Sequence, residues 1–275
     1  MYAKASVLPG LPSPSLPPPL KWAGGKRWLV PRLCRIWSGG HPSRRLVEPF
    51  VGGLAVVLGL LPRTALLNDS NPHLISFYKW LQYGLEPDGV TFKNDRATFY
   101  ANRSRFNELI EAGKADSAEA AALFYYLNRT GYNGLCRFNG SGLFNVPFGS
   151  YKVITYRTGR EFAEYRSALR AYDFRCGDFA DLVLRNDDLV YADPPYDVEF
   201  TSYSAGGFDF EDQKRLAKWL AKHSGPVVAS NQATKRILQM YRSLGFAVMT
   251  LAAPRRISCD GNREDVREML ATLNL

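Results

Sequence analysis

Apolar and polar positions along the chain alternate between short apolar runs and longer amphipathic stretches. Leu46-Val47-Glu48-Pro49-Phe50 reads as a strand, Gly52-Gly53 as a turn and the apolar run Leu54 to Leu61 as a helix. Thr64 to Leu67 is a second strand that stops at Asn68-Asp69-Ser70-Asn71. Pro72 then opens a helix to about Tyr83, with Asn71 as its cap. Residues 45–84 therefore read as a βαβα unit.

Residues 95–130 break that alternation. "NDRATFYANRSRFNELIEAG" and "SAEAAALFYYLNR" both carry helical spacing. "TGYNGLCRFNGSGLFNVPFGSY" follows, rich in Gly and Asn, and reads as turns and a β-hairpin about Asn139-Gly140. After a helix near 158–169 the alternation resumes. Strands are predicted at Tyr172–Cys176, Leu189–Ala192, Pro226–Ala229 and Phe246–Leu251, and helices at Phe210–Lys222 and Ala233–Leu244. The final "NREDVREMLATLNL" satisfies helix and strand spacing alike.

Strand–helix alternation on both sides of an insert predicts an α/β fold, a mostly parallel sheet with helices on both faces. Ligands of such sheets bind beyond the carboxyl ends of the strands. Asp69, Asp178, Asp193 and Asn231 stand at predicted strand ends, and as neighbours they would line one crevice.

Composition narrows the class. The 275 residues are 46% hydrophobic, enough for a substantial core, and no run is long and apolar enough to span a bilayer. Residues 1–19 are proline-rich, lack the apolar centre of a signal peptide and read as a disordered arm. Cys34, Cys136, Cys176 and Cys259 are widely spaced, as are His41, His73 and His223. That argues against zinc and a disulfide framework, and for reduced thiols in a cytoplasmic protein. The formal net charge of +9 suits a polyanion. The basic residues cluster at Lys21–Arg35, at Arg129–Arg160 and at Arg255-Arg256, with aromatic residues among them.

Four short stretches carry candidate chemistry. "FVGG", Phe50 to Gly53, follows a strand, where glycines let the backbone approach a ligand; without G-x-G-x-x-G spacing it gives no pyrophosphate site and by itself equally suits a plain tight turn. Asp69 ends the next strand, where a carboxylate can accept both hydroxyls of a ribose. "LKWAGGKRWL" lacks the spacing of a phosphate-binding loop; Trp22 and Lys26 offer a flat surface and a charge, or simply a turn before a helix. In "VYADPPYDVEF", two prolines stiffen a strand end between Asp193 and Tyr196. Taken alone, that corner fits a turn as well as a site. As a site it suits methylation of an exocyclic amine. The Asp193 carboxylate and the Pro194 carbonyl would accept the two amine hydrogens and free the lone pair, while Tyr196 stacks on a base taken out of the helix.

In this order, "LKWAGGK", "LVEPFVGG", "NDSNPHLI", "YLNRTGYNGLCRFNGSGLFNVPFGSY", "YADPPY", "GFDFEDQKRLA", "ASNQAT" and "PRRIS" resemble the Dam-type DNA adenine-N6 methyltransferases over nearly all of Leu20–Leu270. The resemblance implies a Rossmann-like methyltransferase sheet in residues 20–92 and 170–275, interrupted by a helical and β-hairpin target-recognition insert at 93–169. It implies S-adenosylmethionine as the cofactor, no metal, and direct in-line transfer to N6 of a flipped adenine in double-stranded DNA; a monomer is expected, although the sequence does not report the oligomeric state. Trp22, Lys26, Phe50, Gly52, Asp69, Asp178 and Asp193 then become cofactor-binding residues, with Asp178 near the cofactor's adenine ring. Asp193, Pro194 and Tyr196 become catalytic.

By the same resemblance Tyr132 and Asn133 fill the space left by the adenine, and Leu135, Arg137 and Pro147 read the outer base pairs. Arg137 suits guanine O6 and N7. Lys21 meets the first guanine and Tyr151 a flanking phosphate. This constellation goes with GATC. The family's chemistry serves repair marking, replication timing, restriction protection and phage self-protection alike. The sequence departs from the family pattern at Leu54, at Thr130 and in "DVEF", which adds Asp197 and Glu199 beside the catalytic corner. Two other readings are open: a DNA-binding protein of this fold without transfer, and a methyltransferase with another nucleic-acid site.

Overall fold

The computed structural model describes residues 16–39, 43–86, 90–196, 207–253 and 266–275. The "DVEF" segment, Arg255, Arg256, His41 and Cys259 lie outside the described residues. Seven strands form one sheet: β1 (Leu46–Glu48), β2 (Ala65–Asp69), β3 (Tyr172–Cys176), β4 (Leu189–Ala192), β5 (Val227–Gln232), β6 (Ala247–Ala253) and β7 (Val266–Leu273). Their order across the sheet is β3-β2-β1-β4-β5-β7-β6. β3, β2, β1, β4 and β5 pair in parallel, while β7 runs antiparallel between β5 and β6. The ambiguous terminal segment is thus a strand, recruited by pairing on both edges.

The chain runs outward from β1 to β2 and β3, then returns to the other side of β1 with β4. Beyond the carboxyl ends of β1 and β4 lies the switch point where parallel sheets bind ligands. Side chains alternate across a strand. Leu46, Leu67, Leu189, Tyr191, Val228 and Leu270 therefore face one core, and Val47, Leu66, Val190, Ala192, Ala229 and Met269 the other. The second layer is closed by α7 (Phe210–Ala221) and α8 (Lys235–Ser243).

The first layer is closed by α1 (Val30–Ser38), α3 (Pro72–Tyr83) and α6 (Gly159–Leu169). The predicted helix from Leu54 forms only as α2 (Val57–Leu60), because Leu54 at φ 63° and Leu61 at φ 47° leave helical geometry at either end. Asn71 caps α3 by accepting from the His73 and Leu74 amides.

Between α3 and α6 stand α4 (Arg96–Glu111) and α5 (Ala118–Thr130), each opened by a side-chain cap, Asp95 and Ser117. α5 joins α3 through stacked rings, Phe77 on Tyr125 and His73 on Phe124, and α4 joins it through the edge contact of Phe106 with His73. Phe77, Phe106, Phe124 and Tyr125 belong to the core that covers the first face of the sheet. The predicted hairpin consists of two isolated antiparallel bridges, Gly131 with Phe148 and Phe138 with Phe144. Asn139 holds its turn by accepting from the Ser141 and Leu143 amides.

Candidate active site

The sheet's pleat puts Glu48, Asp69, Asp193, Ser230 and Glu268 on the face that bears Leu46, Leu67, Tyr191, Val228 and Leu270. Parallel register carries Ala192 against Ala229, so Asp193 follows beside Ser230, whose Oγ donates to Asp193 Oδ1 at 2.9 Å. Antiparallel pairing of Gln232 with Glu268 brings Glu268 to the same edge. Asn231 projects to the opposite face and is fully buried, so the crevice expected to include it lacks it. Its Nδ2 donates to Gln213 Oε1 at 2.9 Å, and Gln213 Nε2 donates to the Pro195 carbonyl at 2.8 Å. A buried amide relay from β5 through α7 thus braces the proline corner. Among the described residues no donor reaches the Pro194 carbonyl.

Lys26 lies at the centre of this edge, 3% exposed. Its Nζ stands 2.9 Å from Asp193 Oδ1 and 3.3 Å from Glu268 Oε1, and donates to the Gly24 carbonyl and to Tyr196 Oη, each at 3.0 Å. It also lies 4.9 Å from the centre of the Tyr196 ring. Burial alone would lower its pKa, but the charges of Asp193 and Glu268 and the Tyr196 oxygen outweigh burial and raise it, so the ammonium stays protonated. The Tyr196 hydroxyl donates to Glu268 Oε2 at 3.0 Å. Burial pushes the Tyr196 phenol and the Glu268 carboxyl up, with Lys26 opposing both. Burial and the nearby Asp193 charge raise Glu48 well above the usual carboxylate range, and its Oε1 has no partner among the described residues.

Gly52, at φ 45°, needs its freedom of backbone. The Trp22 indole fills the space over this turn: a Cβ on Gly52 would lie 2.8 Å from Trp22 Nε1, and one on Gly53 2.7 Å from Trp22 Cβ. Asp69 pins the turn from below, its Oδ2 accepting from the Gly52 amide at 3.1 Å and its Oδ1 from the Asn71 amide at 3.0 Å. Burial raises the Asp69 carboxyl and these backbone donors oppose it. Phe50 packs against Phe179 and Phe208. Asp178 caps the Phe179–Asp181 turn and forms a two-point pair with Arg215 at 2.6 and 2.7 Å.

A second cluster gathers around Asn128, which is 1% exposed. Its Oδ1 accepts from the Lys21 amide at 2.8 Å, and its Nδ2 donates to the Lys21 carbonyl at 2.8 Å and the Gly134 carbonyl at 3.1 Å. Lys21 Nζ donates to the Arg129 carbonyl at 2.7 Å and lies 3.5 Å from the centre of the Tyr151 ring. Burial and the Arg129 charge lower its pKa to about 8. The Tyr132 amide donates to the Pro147 carbonyl, Asn133 takes φ 52°, and the Tyr132 ring is 48% exposed. Arg137 is held by Asn145, at 2.8 Å from Nε to Oδ1, and Leu135 follows the turn half-buried. Lys21, Tyr132, Asn133, Pro147 and Tyr151 are thereby grouped about one turn, joined to Trp22 and the sheet edge through the adjacent backbone.

The family described as D12 class N6 adenine-specific DNA methyltransferase matches residues 22–257. The chain belongs to this family. Among relatives of the D12 methyltransferase, the Retron Ec67 DNA adenine methylase of Escherichia coli is 36% identical over 264 residues, covering 92% of this chain and 90% of its own. The DNA adenine methylase of Vibrio cholerae (classical Ogawa 395) is 37% identical over 273 residues, covering 92% and 94%. The DNA N-6-adenine-methyltransferase of Escherichia phage P1 is 37% identical over 262 residues; 90% of this chain spans 34% of that protein.

The sequence pattern alone did not single out Glu48, Ser230 and Glu268 at this sheet edge of the D12 methyltransferase, Gln213 behind it, or Asn128 at the second cluster. Ser230 stood in the strand-end pair Ser230-Asn231, but its side chain was indistinguishable from a core hydroxyl. Glu268 was invisible until its segment became a strand. No helix among the described residues is long and apolar enough to cross a membrane, and no group of acidic, His or Cys side chains there could hold a metal.

Proposed function

We propose that this N6-adenine-specific DNA methyltransferase uses S-adenosylmethionine, acts on duplex DNA at GATC and reaches its target by extruding the adenine. The observation that carries the reading is the convergence, at one sheet edge, of the Asp193 carboxylate, the Tyr196 ring and a Pro194 carbonyl that no donor among the described residues reaches, beside the Asp69-pinned glycine turn. The donor set fits the cofactor. Each Asp69 oxygen spends one acceptor site on a backbone amide and keeps another for a ribose hydroxyl, and Glu48 Oε1 is a buried polar atom without a protein partner. Trp22, Lys26, Phe50, Gly52 and Asp178 complete the cofactor-binding set. When bound, S-adenosylmethionine supplies an electrophilic methyl group on a sulfonium.

Asp193 and the Pro194 carbonyl accept the two hydrogens of the adenine amine, so its lone pair turns out of the ring system and towards the methyl carbon. Asp193 would accept the proton that N6 releases on methylation. Tyr196 supports the face of the extruded base, and the Gln213 relay keeps the corner from moving as charge develops.

Residues 93–169 serve as the recognition region. Exposed Tyr132 and the left-handed Asn133 enter the duplex, while Leu135, Arg137 and Pro147 read the outer pairs. Lys21 meets the first guanine and Tyr151 a phosphate. The enzyme works in the cytoplasm, where its DNA lies. The test is transfer of labelled methyl groups from S-adenosylmethionine to duplexes that contain or lack GATC. Label confined to GATC duplexes supports the reading, and equal label in both refutes the site assignment.

A further inference from the structure

Lys26 raises a problem for the Asp193 site. Four acceptors surround its ammonium: the Gly24 carbonyl, Tyr196 Oη, Asp193 Oδ1 and Glu268 Oε1. An ammonium has three hydrogens. The acceptor left out is Glu268 Oε1, which stands at 3.3 Å and has no hydrogen-bond partner among the described residues, although its carboxylate is almost wholly buried. Asp193 Oδ1, by contrast, is satisfied twice, by Lys26 and by Ser230. Asp193 Oδ2 keeps open acceptor sites among the described residues, but an incoming amine meets a carboxylate whose charge Lys26 already offsets, which weakens it as an acceptor.

We infer that Glu268 is a positioning residue, the second seat of the Lys26 ammonium, which draws Lys26 off Asp193 when the target amine arrives. This rests on the reading that Asp193 accepts the adenine amine. The exchange conserves bonds: Lys26 gives up Asp193 Oδ1 and gains Glu268 Oε1, while Asp193 keeps Ser230 and gains an N6 hydrogen. The ammonium moves between two acceptors already within 3.3 Å, so Lys26 itself is never unpaired, while Asp193, 20% exposed, exchanges the cation for an N6 hydrogen. Glu268 Oε2 meanwhile holds the Tyr196 hydroxyl, which keeps the ring in place during the shift. The same carboxylate thus ties release of the acceptor to support of the base.

Two measurements test this. In the first, Glu268→Gln, Lys26→Met and the double variant are compared in single-turnover transfer to a GATC duplex. Glu268→Gln should lower the rate constant about tenfold or more with the KM for S-adenosylmethionine changed less than about threefold. In the Lys26→Met background, the same substitution should cost less than about threefold, because no cation then needs a second seat. Equal cost in both backgrounds would reduce Glu268 to a support for Tyr196 and overturn the inference.

The second measurement needs no variant: the wild-type complex with S-adenosylhomocysteine and a GATC duplex. Lys26 Nζ should sit ~2.9 Å from Glu268 Oε1 and have left Asp193; Lys26 still bonded to Asp193 with the adenine in place would also overturn it. Failure of the wild-type enzyme to methylate DNA at all would instead strike the reading beneath.

Discussion

The Asp193 sheet edge and the Asn128 cluster hold their side chains by opposite means. At the edge, one buried ammonium faces two carboxylates, so Lys26 has an alternative partner within reach. At the second cluster a single neutral amide on α5 clasps the backbone of Lys21, 107 positions away, and that of Gly134, and the Tyr151 ring lies against the Lys21 side chain. A charge network can exchange partners at little cost and suits a site where an acceptor must be released. A neutral clasp has no second state and suits a surface that must keep its shape against a duplex.

Removing the clasp should have the largest effect on stability. Asn128→Ala deletes three hydrogen bonds and strands buried backbone groups of Lys21 and Gly134, so we expect a loss of ~2–4 kcal/mol in urea unfolding, with weaker DNA binding. The transfer rate from the enzyme–DNA complex should change little. Gln213→Ala tests the other side. It strips the Pro195 carbonyl and Asn231 Nδ2 of the partner they share, costs about 1–3 kcal/mol and should lower kcat while DNA affinity holds. If both variants damaged affinity and kcat alike, the distinction between the regions would fall.

The pH dependence sharpens the comparison. Lys21 titrates near 8 in the folded chain instead of 10.5, so it is charged below pH 8 and loses its proton as pH rises through that value. DNA affinity at fixed ionic strength should therefore drop from pH 7.5 to 9, and Lys21→Met should remove that drop. For stability the sign is reversed. Between pH 8 and 10.5 the unfolded chain binds more protons at this residue than the folded one, so the cost of burying a charged Lys21, present below 8, is relieved across that window. Lys26, held protonated by its carboxylates, should add no such step. The smallest effect belongs to Arg215→Ala: its pair with Asp178 is solvent-exposed, and its loss should shift stability by less than ~1 kcal/mol in the same unfolding assay.

Much of this was legible in the chain. The glycine turn, Asp69 and the proline corner declare themselves because special backbone geometry demands special residues. Alternation of apolar runs carries the parallel strands. What could not be read depended on partners remote in sequence. Val266–Leu273 mixes helix-forming and strand-forming residues, and only the open edges of β5 and β6 decide it. With that strand undecided, Glu268 had no address. Asn231 was expected in the crevice, yet the register that aligns Ser230 with Asp193 turns Asn231 to the other face. The glycines of "FVGG" were read as room for a ligand, and Trp22 occupies much of that room.

The central claim is that Asp193 accepts the adenine amine in methyl transfer to DNA, and substitution of that one residue tests it most directly. Labelled methyl transfer to a GATC duplex should fall about a thousandfold or more in Asp193→Ala, while Kd for the same duplex at fixed salt stays within about threefold. An Asp193→Ala enzyme that still methylates adenine at a rate near that of the wild type would contradict the account.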